Sequence, residues 1–189
     1  MNREQQAAAE IARRKAKQVG FGRSIIAVDP GTSATGIAAL MDGNLVDLHV
    51  VCMKGGSAKD RLPAMCNEIA RRLETMTHWV KPDTLAMEWQ MIRPGDPRPN
   101  DIANLMVVLG AALAVERAKG CQLLLPLPVQ WKGSVASEVF LERVKGLAVG
   151  QAALDSMDQR GIPLRDQHNG LDAAALAVWA VNLRMPWAL

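Results

Sequence analysis

Two hydrophobic rhythms alternate along this chain, and each change of rhythm marks an element. Residues 24–29, SIIAVD, stay almost wholly apolar until the final aspartate, as a strand buried on both faces would. Residues 35–41 and 44–52 read as a second and third strand, with Asp42-Gly43-Asn44 as a hairpin turn signal between them. The first two strands, joined through Pro30-Gly31-Thr32-Ser33, are expected to be antiparallel as well. The period then lengthens. Over 59–78, Leu62, Met65, Ile69, Leu73 and Met76 recur at helical spacing, and Pro82-Asp83 breaks that helix. TLAME, 84–88, is a short strand closing on a second carboxylate, and RPGDPRPN, 93–100, is too rich in proline and glycine to be helical.

The remainder predicts a helix over 101–118 with Gly110 inside it and a strand over 121–127. Helix follows over 134–159, interrupted around Gly146 and Gly150 and ended by Pro163, and a last helix covers 168–185. Three antiparallel strands leading into alternating helices and strands predict an α/β fold, a mixed five-stranded sheet flanked by helices.

Composition narrows the class. The 189 residues fit one domain, and 49% hydrophobic residues suffice for a sizeable core. No apolar run approaches the ~18 residues that cross a bilayer, and the N-terminus lacks the apolar segment of a signal peptide. Cys52, Cys66 and Cys121 form no CxxC pair, so neither a zinc site nor a disulfide framework is expected. A soluble, cytoplasmic protein with no membrane partner is the expectation. The net charge of +3 is unevenly spread: residues 1–23 hold six basic against two acidic residues. The chain therefore divides into a basic N-terminal arm, 1–22, and a near-neutral domain, 23–189. Such an arm suits a nucleic-acid partner, and equally a solvated helix.

The carboxylates carry the chemistry. Asp29 ends the first strand and Glu88 the fourth; as sheet neighbours these strands would set the two acids side by side. Asp172 is expected near the start of the last helix, with His168 four residues and Asn169 three residues before it on one helix face. Singly, each has an ordinary reading: an Asp before Pro-Gly is commonly a turn residue, and a lone His is commonly a cap. Jointly they form an acidic group whose like charges raise one another's pKa, a conflict that a divalent cation removes. Hard oxygen ligands suit Mg²⁺, with Mn²⁺ able to substitute. Two such ions about 3.5–4 Å apart serve phosphodiester hydrolysis.

The order and motifs resemble the RuvC-type Holliday junction resolvases of the RNase H-like superfamily, across residues 24–182. IIAVDPGTSATGIAAL resembles the family's opening strand, and LAMEWQM its second motif, with Glu88 as the metal-binding glutamate. ANLMVVLGAALAVERAKG resembles the helix that forms much of the family's dimer interface. LPLPVQWKG resembles the proline-then-lysine segment, with Lys132 matching the lysine that approaches the scissile phosphate; HNGLDAAALAVWA resembles the motif of the last acid, Asp172. The resemblance implies an RNase H-like nuclease domain with Asp29, Glu88, His168, Asp172 and Lys132 as catalytic residues. Asp29, Glu88, Asp172 and His168 would hold the metal, with Asn169 as the alternative ligand. It further implies a homodimer that nicks opposing strands of branched DNA at four-way junctions with two Mg²⁺ per active site.

Two features depart from the family. Asn169 stands where it usually has Asp or His, and a second lysine is not evident, Arg143 and Lys145 lying farther along. With the basic arm and the short chain, they point to a phage or prophage enzyme in a bacterial host. For DNA contact the expectations are Trp89 and Met91 as wedges into the junction, Arg93, Arg98 and Lys81 on phosphates, and Arg13 and Arg14 in the arm. The competing readings are another RNase H-like nuclease, acting on RNA:DNA hybrids or ribosomal RNA, and a junction-binding module without catalysis.

Overall fold

A computed structural model describes residues 24–90 and 99–182. Its five strands are β1 (Ser24–Asp29), β2 (Ala34–Met41), β3 (Asn44–Cys52), β4 (Thr84–Met87) and β5 (Gln122–Leu124). Its helices are α1 (Ala58–Val80), α2 (Pro99–Lys119), α3 (Pro128–Trp131), α4 (Ser137–Lys145), α5 (Ala148–Gln159) and α6 (Leu164–Asn182). The sheet order is β3-β2-β1-β4-β5, antiparallel across the first three and parallel from β1 to β4 and β5. The predicted mixed sheet is therefore present, and the apolar run of β1 lies at its centre. Asp42 (φ 52°) and Gly43 (φ 79°) make the two-residue β2–β3 turn, both left-handed as a tight hairpin requires.

A period of two divides β1 between two cores. Ile26 and Val28 pack with Leu62, Met65, Ile69, Leu73, Met76 and Val80 of α1 and with Val108, Leu109 and Ala112 of α2. Ile25 and Ala27 pack on the other face, under α6, with Trp131, Phe140 and Val144. The face of α1 read from its spacing is thus the buried one. Asp60 accepts hydrogen bonds from the Ser57 N–H (3.0 Å) and hydroxyl (2.6 Å), fixing the helix start; Lys81 in left-handed conformation ends it.

Three boundaries differ from expectation, each through proline or glycine. β5 is only three residues long because Pro126 and Pro128 have no N–H for the ladder. The segment expected over 134–159 is two helices, α4 and α5, broken at Gly146-Leu147, whereas Gly150 lies inside α5. The last helix starts at Leu164, not 168: Pro163 precedes it as a helix-initiating residue and does not merely end the previous segment. Asp172 consequently sits in the third turn of α6.

Helix α6 crosses β1 and β2 closely because its inner face is alanine: Ala173, Ala174, Ala175 and Ala177 are all buried. The closest approach is at Gly36 of β2, where an added Cβ would collide with the Asn169 backbone carbonyl. Gly36→Ala is therefore expected to destabilise the protein by about 2–3 kcal/mol, as overpacking against backbone does. A thermal melt checks this, and an unchanged midpoint would contradict the packing described.

Candidate active site

β1 and β4 pair in parallel with Val28 opposite Met87, and the Glu88 N–H donates to the Val28 carbonyl at 3.2 Å. Asp29 and Glu88 therefore leave neighbouring strands at the same end of the sheet. Because Ala27 and Ala86 face α6, the two-residue period carries Asp29 and Glu88 onto that face as well. Both are buried, at 6% and 4% exposure. Asp172 comes down from α6, and Lys132 arrives at the end of the short helix α3. The Lys132 Nζ lies 2.8 Å from Asp172 Oδ2 and 3.2 Å from Glu88 Oε2.

The surrounding bonds orient this group. The Trp131 Nε1–H donates to Glu88 Oε2 at 3.0 Å, and the Gln90 side-chain amide donates to Glu88 Oε1. Trp131 is fully buried and meets Phe140 edge to face, with centroids 5.4 Å apart. The Lys132 ammonium sits 4.7 Å from the centroid of the Trp131 ring. Asp172 Oδ1 is buried and has no hydrogen-bond partner among the described residues. Burial, then the charge of Asp172, hold the Asp29 carboxyl well above the usual carboxylate range; Lys132 partly relieves this, and Glu88 adds to it. Burial alone would lower the Lys132 ammonium, but the charges of Asp29, Asp172 and Glu88 outweigh it and hold Lys132 above the ordinary lysine value.

Three carboxylates thus share one ammonium, and one of their oxygens is orphaned. An all-oxygen donor set with excess negative charge and an unsatisfied buried carboxylate oxygen fits a hard divalent cation. Among the described residues, no three His, Cys, Asp or Glu side chains yet gather closely enough to hold such an ion. Lys132 occupies the space between Glu88 and Asp172.

The other expected residues fall in different places. Asn169 is buried, with its side-chain amide donating to the Asp166 carbonyl at 3.3 Å, and it lies against Gly31 and Gly36 beside Asp29. His168 is exposed, and its Nδ1–H donates to the Arg165 carbonyl at 2.8 Å. One residue along a helix is a rotation of about 100°, so α6 turns Asn169 inward and His168 to solvent. Lys81 is at the wrong end: its carbonyl accepts the hydroxyl of Ser24, the first residue of β1, whereas Asp29 is the last. Trp89 is half-buried and packs on the core beneath α1 and α2. Met91, Arg93, Arg98, Arg13 and Arg14 lie outside the described residues.

Sequence reasoning assigned no role to Trp131 or Gln90. The signal for Trp131 was available: a tryptophan beside the key lysine, in a turn opened by Pro128, needs a partner for its N–H once buried. Gln90 carried no such signal, being two residues past Glu88 in a segment without periodicity.

The fold is similar to that of solved RuvC structures. Two solved structures of T. thermophilus RuvC, one in complex with a Holliday junction substrate, superpose with TM-scores of 0.62 and 0.59. Each is 21% identical, and the match covers 86% of this chain and 96% of theirs. A yeast mitochondrial Holliday junction resolvase aligns at 13% identity over 86% of this chain and 78% of its own, with a TM-score of 0.49. No protein-family model and no curated protein sequence matches the chain.

Without metal, Asp29→Asn is expected to exceed the wild type in stability by on the order of 1–3 kcal/mol at pH 7. The gain vanishes below the ordinary aspartate range, where both side chains are neutral. It grows as pH rises towards the raised value, because only the unfolded wild type then ionises freely. Urea titrations in EDTA across this pH range measure it, and a wild type more stable than the variant at pH 7 would contradict the description of Asp29.

Proposed function

We propose that this protein is a divalent-metal-dependent endonuclease that cleaves branched DNA, with four-way junctions as its substrate. The observation that carries this reading is the convergence of Asp29, Glu88 and Asp172 with Lys132 at one end of a RuvC-like sheet. A fold alone hosts many functions; a buried, unneutralised carboxylate group at the end of the central strands is the part that chemistry needs.

Asp29, Glu88 and Asp172 would hold the ions, Mg²⁺ in the cell and Mn²⁺ as a substitute, with the Asn169 amide oxygen as a further neutral donor. When bound, the two ions supply an activated water and neutralise charge at the leaving oxygen. The chain's own residues do the rest. Trp131 and Gln90 fix both oxygens of Glu88, so its orientation is set before substrate arrives. Lys132 is the cation within reach of the scissile phosphate, where it stabilises the charge that develops during in-line attack.

Opposed nicks across a symmetric junction call for two sites related by a two-fold axis, and a homodimer supplies them. Helix α2 supports this: Ala103, Val107, Gly110 and Ala114 form one exposed, uncharged stripe, with Val107 at 53% exposure. Small residues in such a stripe let two helices approach closely. Phosphate contacts are assigned to Arg93 and Arg98, with Met91 entering the junction, since 91–98 continues directly from Gln90. The arm, 1–22, adds salt-dependent affinity through Arg13 and Arg14. Among the described residues no helix is long and apolar enough to cross a membrane.

The test is a nicking assay on a synthetic four-way DNA junction in Mg²⁺ or EDTA, with linear duplex and RNA:DNA hybrid as controls. Paired symmetric nicks are expected in Mg²⁺ alone. Asp29→Asn, Glu88→Gln and Asp172→Asn should each lower the rate by on the order of 10²-fold or more. Asn169→Ala should cost about 10-fold or more, while His168→Ala stays close to wild type. Cleavage of the hybrid alone would move the protein to another branch of the fold class. Binding without cleavage would make it a non-catalytic module, and single unpaired nicks would contradict the dimer.

A further inference from the structure

The Lys132 ammonium does something a phosphate-binding lysine need not do. It lies between two of the three carboxylates, at 2.8 Å from Asp172 and 3.2 Å from Glu88, and only 19% of its side chain is exposed. It is held there from behind by the faces of Trp131 and Phe140, at 4.7 and 6.0 Å from the ring centroids. Its neighbour Trp131 donates to the same Glu88 oxygen that Lys132 approaches. Asp172 Oδ1 is buried and receives no hydrogen bond from a described residue. The ammonium is thus seated as a counter-ion between Glu88 and Asp172, and among the described residues no three His, Cys, Asp or Glu side chains gather closely enough to hold a metal ion.

We propose that Lys132 is a built-in, displaceable counter-cation: it occupies the cation position between Glu88 and Asp172 in the metal-free protein, and metal loading is an exchange in which its ammonium leaves that position. This deepens the metal-site reading above and rests on it. The exchange has two consequences. Metal binding is weakened by the fraction of protein in which the lysine is seated. The metal-free fold, in turn, is protected from the repulsion of its own active-site acids. The lysine's four-carbon stem makes the movement feasible, since a flexible chain with a point charge can be released without moving the backbone. The freed ammonium becomes available to a phosphate only once the ions are in place, which couples phosphate binding to metal occupancy.

The experiment is Mn²⁺ titration calorimetry on the full chain, comparing wild type, Lys132→Met, Lys132→Gln and Asp29→Asn, alongside thermal melts in EDTA and in saturating Mn²⁺. Both neutral variants are expected to bind Mn²⁺ about 10-fold more tightly than wild type. They should also melt earlier in EDTA, with the gap closing in Mn²⁺. Lys132→Gln, polar and shorter, keeps the comparison available should the methionine variant fold poorly. Wild-type lysines labelled with ¹³C at Cε give an independent readout: one resonance, absent in Lys132→Gln, should shift on adding Mg²⁺.

Equal or weaker Mn²⁺ binding by the neutral variants, with wild type binding normally and Asp29→Asn impaired, would overturn the exchange and leave the metal site standing. Absence of Mn²⁺ binding in wild type and both neutral variants would overturn the metal site, and the exchange with it. A Lys132 resonance unmoved by Mg²⁺ in a protein that binds the ion would likewise overturn the exchange.

Discussion

Everything at the working end of this protein depends on negative charge gathered faster than it is neutralised. Asp29, Glu88 and Asp172 meet where the two central parallel strands end, and one ammonium serves all three. Two like charges about 4 Å apart cost roughly 4 kcal/mol at an effective dielectric of 20. That is a large share of the roughly 5–15 kcal/mol that keeps a domain folded. Burying three acids around one base costs stability, and among the described residues Asp172 Oδ1 has no partner. On the reading proposed above, a hard divalent cation would offset this excess.

The scaffold is organised to keep that charge in place. Parallel pairing of β1 with β4 fixes Asp29 beside Glu88, since slipping the register by one residue would turn Glu88 to the other face. An alanine face on α6 and Gly36 on β2 let the last helix lie close enough to deliver Asp172. Pro128 opens the single helical turn that buries Trp131 and sets Lys132 facing the acids. Trp131 thereby serves the core and the site at once: its ring packs with Phe140 while its N–H holds Glu88.

Much of this was legible in the residues. The alternating and helical periods placed β1 to β4 and α1 within a residue or two, because those elements bury one clean face each. The positions of Asp29 and Glu88 at matching strand ends followed directly from that reading. Local signals failed where tertiary contacts decide. Pro163 reads as a stop and acts as a start, so α6 gained a turn at its beginning. Whether His168 or Asn169 turns inward is a matter of helix rotation against Gly31 and Gly36, which spacing from Asp172 alone does not fix. Lys81 looked close to the charged loop in sequence, yet a four-residue strand carries the chain from one end of the sheet to the other between them. That Trp131 needs a partner for its N–H is legible beside Lys132, but which partner is not, because Glu88 lies 43 residues away.

A crystal structure of the full chain grown with Mn²⁺, using anomalous scattering to locate the ion, tests the carboxylate group most directly. Mn²⁺ is expected bound by Asp29, Glu88 and Asp172, with the Lys132 ammonium gone from between the last two. Mn²⁺ located elsewhere, or the three carboxylates unchanged around a seated Lys132 at saturating ion, would contradict it.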